Sequence, residues 1–156
     1  MRVATYTRVS TSEQPNGIAV QRQAITAEAE RRGWSVSAEF VDAGYSAASM
    51  ARPGITAALE ALRAGEADVL VVAKLDRLSR SLDDFAQVMA RAQREGWSVV
   101  ALDADVDTTT PAGEAMVSVL SVFAQFERRL ISQRTKDTLA LKRAQGVRLG
   151  QAASAG

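Results

Sequence analysis

Val69-Leu70-Val71-Val72-Ala73-Lys74-Leu75-Asp76-Arg77-Leu78-Ser79-Arg80-Ser81 is the stretch on which the fold turns. Its first five residues are wholly apolar, the pattern of a short strand buried on both faces in a parallel sheet. The rest places three fixed cations, one carboxylate and two hydroxyls directly behind that strand. A βα loop gains nothing in folding from so many charges. Guanidinium forks there suit a phosphodiester, whose oxygens they match bidentately. A second polar run, YTRVSTSEQ at 6–14, follows another candidate strand, Val3-Ala4-Thr5-Tyr6. Together the two runs suggest a phosphate site with a hydroxyl nucleophile.

Working outward, strand and helix patterns alternate. Strands are expected at 2–8, 34–41, 69–73 and 97–102. Helices are expected at 19–32, ending near Gly33, at 54–64 after Pro53, and from Asp83 or Asp84 to Glu95 before Gly96. The loop at 42–53 is rich in Gly, Ala and Ser. This order predicts an α/β domain with a mainly parallel central sheet flanked by helices. Its chemistry should lie beyond the C-terminal strand ends, where both polar runs fall.

The last element differs. After Gly113 nothing breaks a helix until about residue 145, some 30 residues or about 45 Å. Met116, Val119, Leu120, Phe123, Phe126, Leu130 and Ile131 recur along it at three- and four-residue steps. A helix this long should project from the domain, and its apolar face then needs a partner, so a homodimer is expected. Three segments follow: a catalytic core at 1–110, a long dimerisation helix at 111–146, and a tail at 147–156.

Composition narrows the chemistry. A chain of 156 residues fits one core. Neither a membrane span nor a signal peptide is visible, and the absence of cysteine suits a cytoplasmic protein. There is no histidine either, so the commonest general base and metal ligand are both missing. The net charge of +1 is unevenly spread. Arg128, Arg129, Arg134, Lys136, Lys142, Arg143 and Arg148 face one anion, Asp137, so that segment carries +6 and the remainder −5. A basic segment on a mildly acidic body suits nucleic acid.

Single residues admit two readings each. Ser10 is either a nucleophile assisted by arginines or a turn residue. Asp76 is an ion-pair partner that orients an arginine, or a proton handler. Arg52 either closes over a substrate or is a solvent-exposed loop arginine. Asp42 and Ser46 read as turn stabilisers. Glu127 and Arg128 form an exposed pair or a positioning pair. Asp103, Asp105, Asp107 and Glu114 echo a calcium loop, but Thr108 stands where glycine is needed. Helix entry, with Thr110 capping and Pro111 at the first position, explains that region better.

In this order the motifs resemble the catalytic domain of the serine recombinases, the resolvase/invertase family. The resemblance rests on Tyr6-x-Arg8-Val9-Ser10-Thr11 with Gln14, Asp42 with Ser46, and Arg52-Pro53-Gly54. It continues through Lys74-Leu75-Asp76-Arg77-Leu78-x-Arg80, Asp107-Thr108-x-Thr110-Pro111-x-Gly113, and Glu127-Arg128 with Arg134. It implies that Ser10 attacks a DNA phosphodiester to give a 5′-phosphoserine link and a free 3′-hydroxyl. Arg8, Arg77 and Arg80 would hold the phosphate, and Asp76 would order them or handle a proton. Tyr6, Gln14, Asp42, Ser46, Arg52, Glu127, Arg128 and Arg134 would support the site. DNA contacts are expected from Lys136, Lys142, Arg143 and Arg148. The resemblance implies no metal, cofactor or small-molecule substrate; the partners are double-stranded DNA and copies of the chain, a dimer that becomes a tetramer during strand exchange. Relatives usually continue into a DNA-recognition region; this sequence stops at Gly156, as an isolated catalytic domain would. The alternative is a non-catalytic dimerisation module or degenerate recombinase remnant.

Overall fold

The computed structural model describes residues 1–10, 16–44 and 52–146. In chain order the elements are β1 (Arg2–Val9), α1 (Gly17–Arg32), β2 (Ser35–Ala43), α2 (Pro53–Arg63) and β3 (Val69–Val72). They continue with α3 (Leu75–Leu78), α4 (Leu82–Glu95), β4 (Ser98–Ala101), β5 (Val106–Asp107) and α5 (Pro111–Ala144). The expected α/β architecture, with its mainly parallel sheet and long C-terminal helix, is present. The chain divides into two compact units, Met1–Ser121 and Val122–Gly156.

The sheet of the first unit runs β2-β1-β3-β4-β5. The first three pairings are parallel, and β5 closes the edge antiparallel to β4. Strand β1 is buried from Val3 to Val9 because it has a neighbour on each side and helices above and below. Alternation sends its residues to opposite faces. Ala4 and Tyr6 join Leu70, Val72, Val99 and Ala101 in a core closed by Ile55 and Leu62 of α2 and Phe85 and Met89 of α4. Val117 and Leu120, in the first turns of α5, pack on the same core. Val3 joins Val69, Val71 and Val100 on the other face, where Ile25 of α1 is the main apolar contact.

Three local expectations needed correction. The polar run after β3 is not all loop, since residues 75–78 form the single turn α3. Helix α4 begins at Leu82, with Ser81 as its cap accepting the Asp84 N–H at 3.0 Å, so Asp83 and Asp84 occupy its first turn. Strand β5 was not foreseen, because two residues are too few to carry a period. It is held by Val100↔Asp107 and Ala101↔Val106 pairing and by Asp105 in a left-handed turn at φ 52°. Thr110 Oγ1 accepts the Gly113 N–H at 3.1 Å and starts α5 as expected. Gly96 stops α4 with φ 79°, a backbone that side chains disfavour.

Candidate active site

The sheet order reverses between β1 and β3, the kind of switch point whose crevice, outside the carboxyl ends of the strands, is where α/β proteins bind ligands. Pairing of β1 with β3 ends at Tyr6↔Val72, whereas β1 and β2 continue to Val9↔Ala43. Thr7, Arg8 and Val9 therefore overhang β3, with the half-buried Ser10 next in line. After β3 the chain turns into α3, and the two segments grip each other. Arg8 Nε donates to the Arg77 carbonyl at 3.2 Å and its Nη2 to the Asp76 carbonyl at 3.2 Å. In return Arg77 Nη1 donates to the Arg8 carbonyl at 3.4 Å. Ser10, Arg8 and Arg77 thus share one edge of the sheet.

The Asp76 carboxylate lies 3.5 Å from Arg77 Nε; its side chain is 67% exposed and that of Arg77 13%. This geometry favours an ion pair that orients Arg77. Arg80 and Lys74 are exposed. The two hydroxyls of the same run are taken up by structure: Ser79 is buried and Ser81 caps α4.

Behind the crevice lies a buried polar chain. Arg52 is 0% exposed, which overturns its reading as a solvent-exposed loop arginine. Its Nη1 donates to the Tyr6 hydroxyl at 2.9 Å and the Arg77 carbonyl at 2.9 Å, and its Nη2 to the Leu78 carbonyl at 2.6 Å. The guanidinium also lies 5.5 Å from the Tyr6 ring centroid, within cation–π range. Nor does it close over the crevice, because it faces inward onto α3. Tyr6 in turn donates to Asp42 at 2.7 Å. Burial first, then the hydrogen bond to Asp42, push the Tyr6 hydroxyl well above its ordinary range, so it remains a donor.

Asp42 is a correction of the same kind. It sits at the end of β2, not in a loop, and accepts the Gly54 N–H at 2.7 Å and the Ile55 N–H at 3.0 Å. It therefore satisfies the open end of α2, where Arg52, the capping residue by position, makes no side-chain cap. Gly54 is required by this contact. A Cβ there would stand 2.7 Å from the Val41 carbonyl oxygen and 2.8 Å from the Asp42 carboxylate.

Two residues at the site were not foreseen in these roles. Gln21 of α1 is buried and pairs with both backbone groups of Arg8. Asp103, after β4, accepts the Leu75 N–H at 2.9 Å and so caps α3 from outside. That contact and the Arg32–Asp107 ion pair at 2.7 Å account for two carboxylates of the calcium-like spacing. Among the described residues no cluster of three or more acidic, His or Cys side chains could hold a metal. Gln14, Ser46 and Arg148, like Thr11 and Ser12, lie outside the described residues. Glu127, Arg128, Arg134, Lys136, Lys142 and Arg143 are exposed along α5 in the second unit. Val122, Phe123, Phe126, Leu130, Ile131, Leu139 and Leu141 of that helix are exposed as well.

The family model for the resolvase N-terminal domain matches residues 3–148. The chain belongs to the resolvase family. This resolvase domain is 37% identical over 145 residues to a probable DNA-invertase, y4cG, of Sinorhizobium fredii, covering 93% of the chain and 44% of that relative. It is 32% identical over 151 residues to the transposon Tn3 resolvase of Escherichia coli, covering 97% and 77% respectively. The N-terminal catalytic domain of TP901-1 integrase superposes on it with a TM-score of 0.76 at 35% identity, over 83% of this chain and 98% of that one. The resolvase domain is thus of the resolvase/invertase catalytic type found in site-specific recombinases. Among its described residues, no helix is long and apolar enough to cross a membrane.

Proposed function

We propose that this resolvase domain cuts and rejoins double-stranded DNA in the cytoplasm through a covalent intermediate on Ser10. The Ser10 oxygen attacks the scissile phosphorus, a P–O bond forms, and the bond to the 3′ oxygen breaks. The products are a 5′-phosphoserine ester and a free 3′-hydroxyl, with one net proton moving from the serine hydroxyl to the leaving oxygen. Rejoining reverses the step with a new 3′-hydroxyl, so no cofactor or external energy source is needed. The observation that carries this reading is the reciprocal Arg8–Arg77 contact, which sets two guanidiniums at the strand end bearing Ser10. Fixed cations there stabilise the extra negative charge of the five-coordinate phosphorus, and loss of one such donor typically costs about 10²–10³ in rate. Arg80 would add a third cation, while Asp76 orients Arg77. Arg52, Asp42 and Tyr6 act behind them as support.

The exposed apolar residues of α5 suit a second copy of the chain, giving a dimer on each site and a tetramer during exchange. Lys136, Lys142, Arg143 and Arg148 would follow DNA phosphates, while Glu127, Arg128 and Arg134 would support the site, as the family resemblance implies. The test is to incubate the chain with duplexes of randomised sequence, isolate protein–DNA adducts under denaturing conditions, and map the modified peptide. A nucleotide on Ser10, lost in Ser10→Ala with folding retained, is the expected result. An adduct on Ser79 or Ser81 would overturn the assignment. No adduct at all would leave a dimerisation module.

A further inference from the structure

Strand β1 alternates the direction of its backbone groups, so a residue's N–H and C=O both point toward the same neighbouring strand. The odd residues face β2. The Met1 carbonyl accepts from Ser35 N–H at 3.0 Å and the Val9 carbonyl from Gly44 N–H at 2.8 Å. Even residues face the other way, as the Arg2 carbonyl does in accepting the Asp68 N–H at 2.9 Å. Arg8 is an even residue, and β3 has already ended opposite Tyr6. Its backbone groups therefore project into the place a longer β3 would have filled.

Gln21 fills that place. Its Oε1 accepts the Arg8 N–H at 3.1 Å and its Nε2 donates to the Arg8 carbonyl at 2.9 Å. One carboxamide thus supplies the acceptor and the donor that a strand residue would have supplied. The buried stripe of α1 is Gln21, Ile25 and Ala29, spaced four apart. Its apolar members lie under the sheet, and its one polar member lies where the strand edge ends. A buried amide elsewhere on this face would cost stability without a return.

Resting on the proposed function above, we infer that Gln21 is a positioning residue for strand cleavage. It holds the overhanging end of β1 extended, so that Arg8 stays against α3 and Ser10 stays in line with the phosphate. It touches neither DNA nor phosphorus. Its effect falls on the rate of the chemical step and not on the affinity for DNA.

The experiment uses a duplex recovered from the randomised pool, with Gln21→Met, which keeps side-chain length but removes both hydrogen bonds. At saturating DNA the rate of Ser10 adduct formation should fall at least about 10-fold, while the dissociation constant stays within about 2-fold of wild type. Should Gln21→Met fail to fold, Gln21→Glu keeps the volume and the acceptor for the Arg8 N–H but loses the donor, and the same slowing is expected. A folded variant that cleaves at the wild-type rate would overturn the inference. So would a variant whose affinity and melting temperature fall while its saturating rate holds, since that marks a purely structural role. If wild type itself forms no Ser10 adduct, the function falls and this inference falls with it. If wild type reacts and the variants match it, only the inference falls.

Discussion

Replacing Arg52 by methionine tests the buried chain behind the crevice most directly. The hydrogen bonds to the Tyr6 hydroxyl and to the carbonyls of Arg77 and Leu78 disappear. They do not count equally. The Arg77 carbonyl keeps Arg8 Nε at 3.2 Å, and Tyr6 still donates to Asp42. The Leu78 carbonyl loses a charged donor, which costs about 1–3 kcal/mol when a buried acceptor is left unmade. The Asp42 carboxylate also loses the buried cation beyond Tyr6, and breaking up buried charge groups costs about 3–5 kcal/mol. Methionine recovers about 1–2 kcal/mol by burying its apolar chain in the same space. The net loss should be roughly 4–5 kcal/mol, or about 9–18 °C in melting temperature for a chain of this size.

Urea unfolding is the assay, with the midpoint falling and the slope unchanged if the native state stays compact. Hydrogen exchange adds a local readout. The Ser79 N–H closes α3 by donating to the Leu75 carbonyl at 3.2 Å, and it should exchange faster than amides of β1 and β3. Arg52→Lys should lie closer to methionine than to wild type, because one ammonium cannot span a hydroxyl and two carbonyls. Stability of Arg52→Met within about 0.5 kcal/mol of wild type, the range of an ordinary surface substitution, would refute the buried-clamp reasoning.

Two further substitutions probe neighbouring contacts. Gly54→Ala should destabilise by about 1–3 kcal/mol because its Cβ meets the Val41 carbonyl and the Asp42 carboxylate; a gain in urea midpoint, the usual sign for Gly to Ala in a helix, would refute that contact. Asp107 should contribute acid sensitivity. Burial raises its pKa, but the hydrogen bonds from Thr109 and Arg32 outweigh burial and hold the carboxyl below its ordinary range. A depressed folded value means the stabilisation is complete above the unfolded pKa of about 3.9 and is lost as pH falls through the folded value. Asp107→Asn should therefore flatten the acid limb of stability against pH, and an unchanged limb would count against the Arg32–Asp107 pair.

Most of the fold was legible because its elements carry periods. Residues 69–72 are too apolar for a half-exposed strand, and the alternation of such segments with helices leaves a parallel sheet as the simplest arrangement. From that follows the nearness of the strand end that bears Ser10 to the segment that bears Arg77, since the ends of β1 and β3 are neighbours once their order is known. The support behind them was harder to read. Arg52 follows a run of small residues in the sequence, and nothing local distinguishes a buried arginine from an exposed one. Its acceptors are backbone carbonyls, which every residue has. Asp42 has the same difficulty, its amide partners lying 12 and 13 residues away. Gln21 did leave a trace. A lone amide continuing the apolar spacing of Ile25 and Ala29 signals a buried polar group that must find a partner.

Arg52 shares its target with two other contacts. Helix α3 is a single turn of four residues, far too short to persist alone. Its N-terminal amide is taken by Asp103, from beyond β4, and its carbonyls by Arg8 of β1 and by Arg52 at the start of α2. The position of Arg77 is therefore set by three separate parts of the sheet edge and not by its own loop. That explains the use of arginine behind the crevice as well as within it. A guanidinium presents several donors in one plane and keeps its charge at any working pH, so it can bind carbonyls in a site that has no histidine to titrate. The same side-chain chemistry then serves two purposes: inward, it fixes a turn that could not form alone; outward, under the function proposed above, it would meet phosphate. A substitution that disturbs the inward set should slow cleavage even though it removes no group facing DNA.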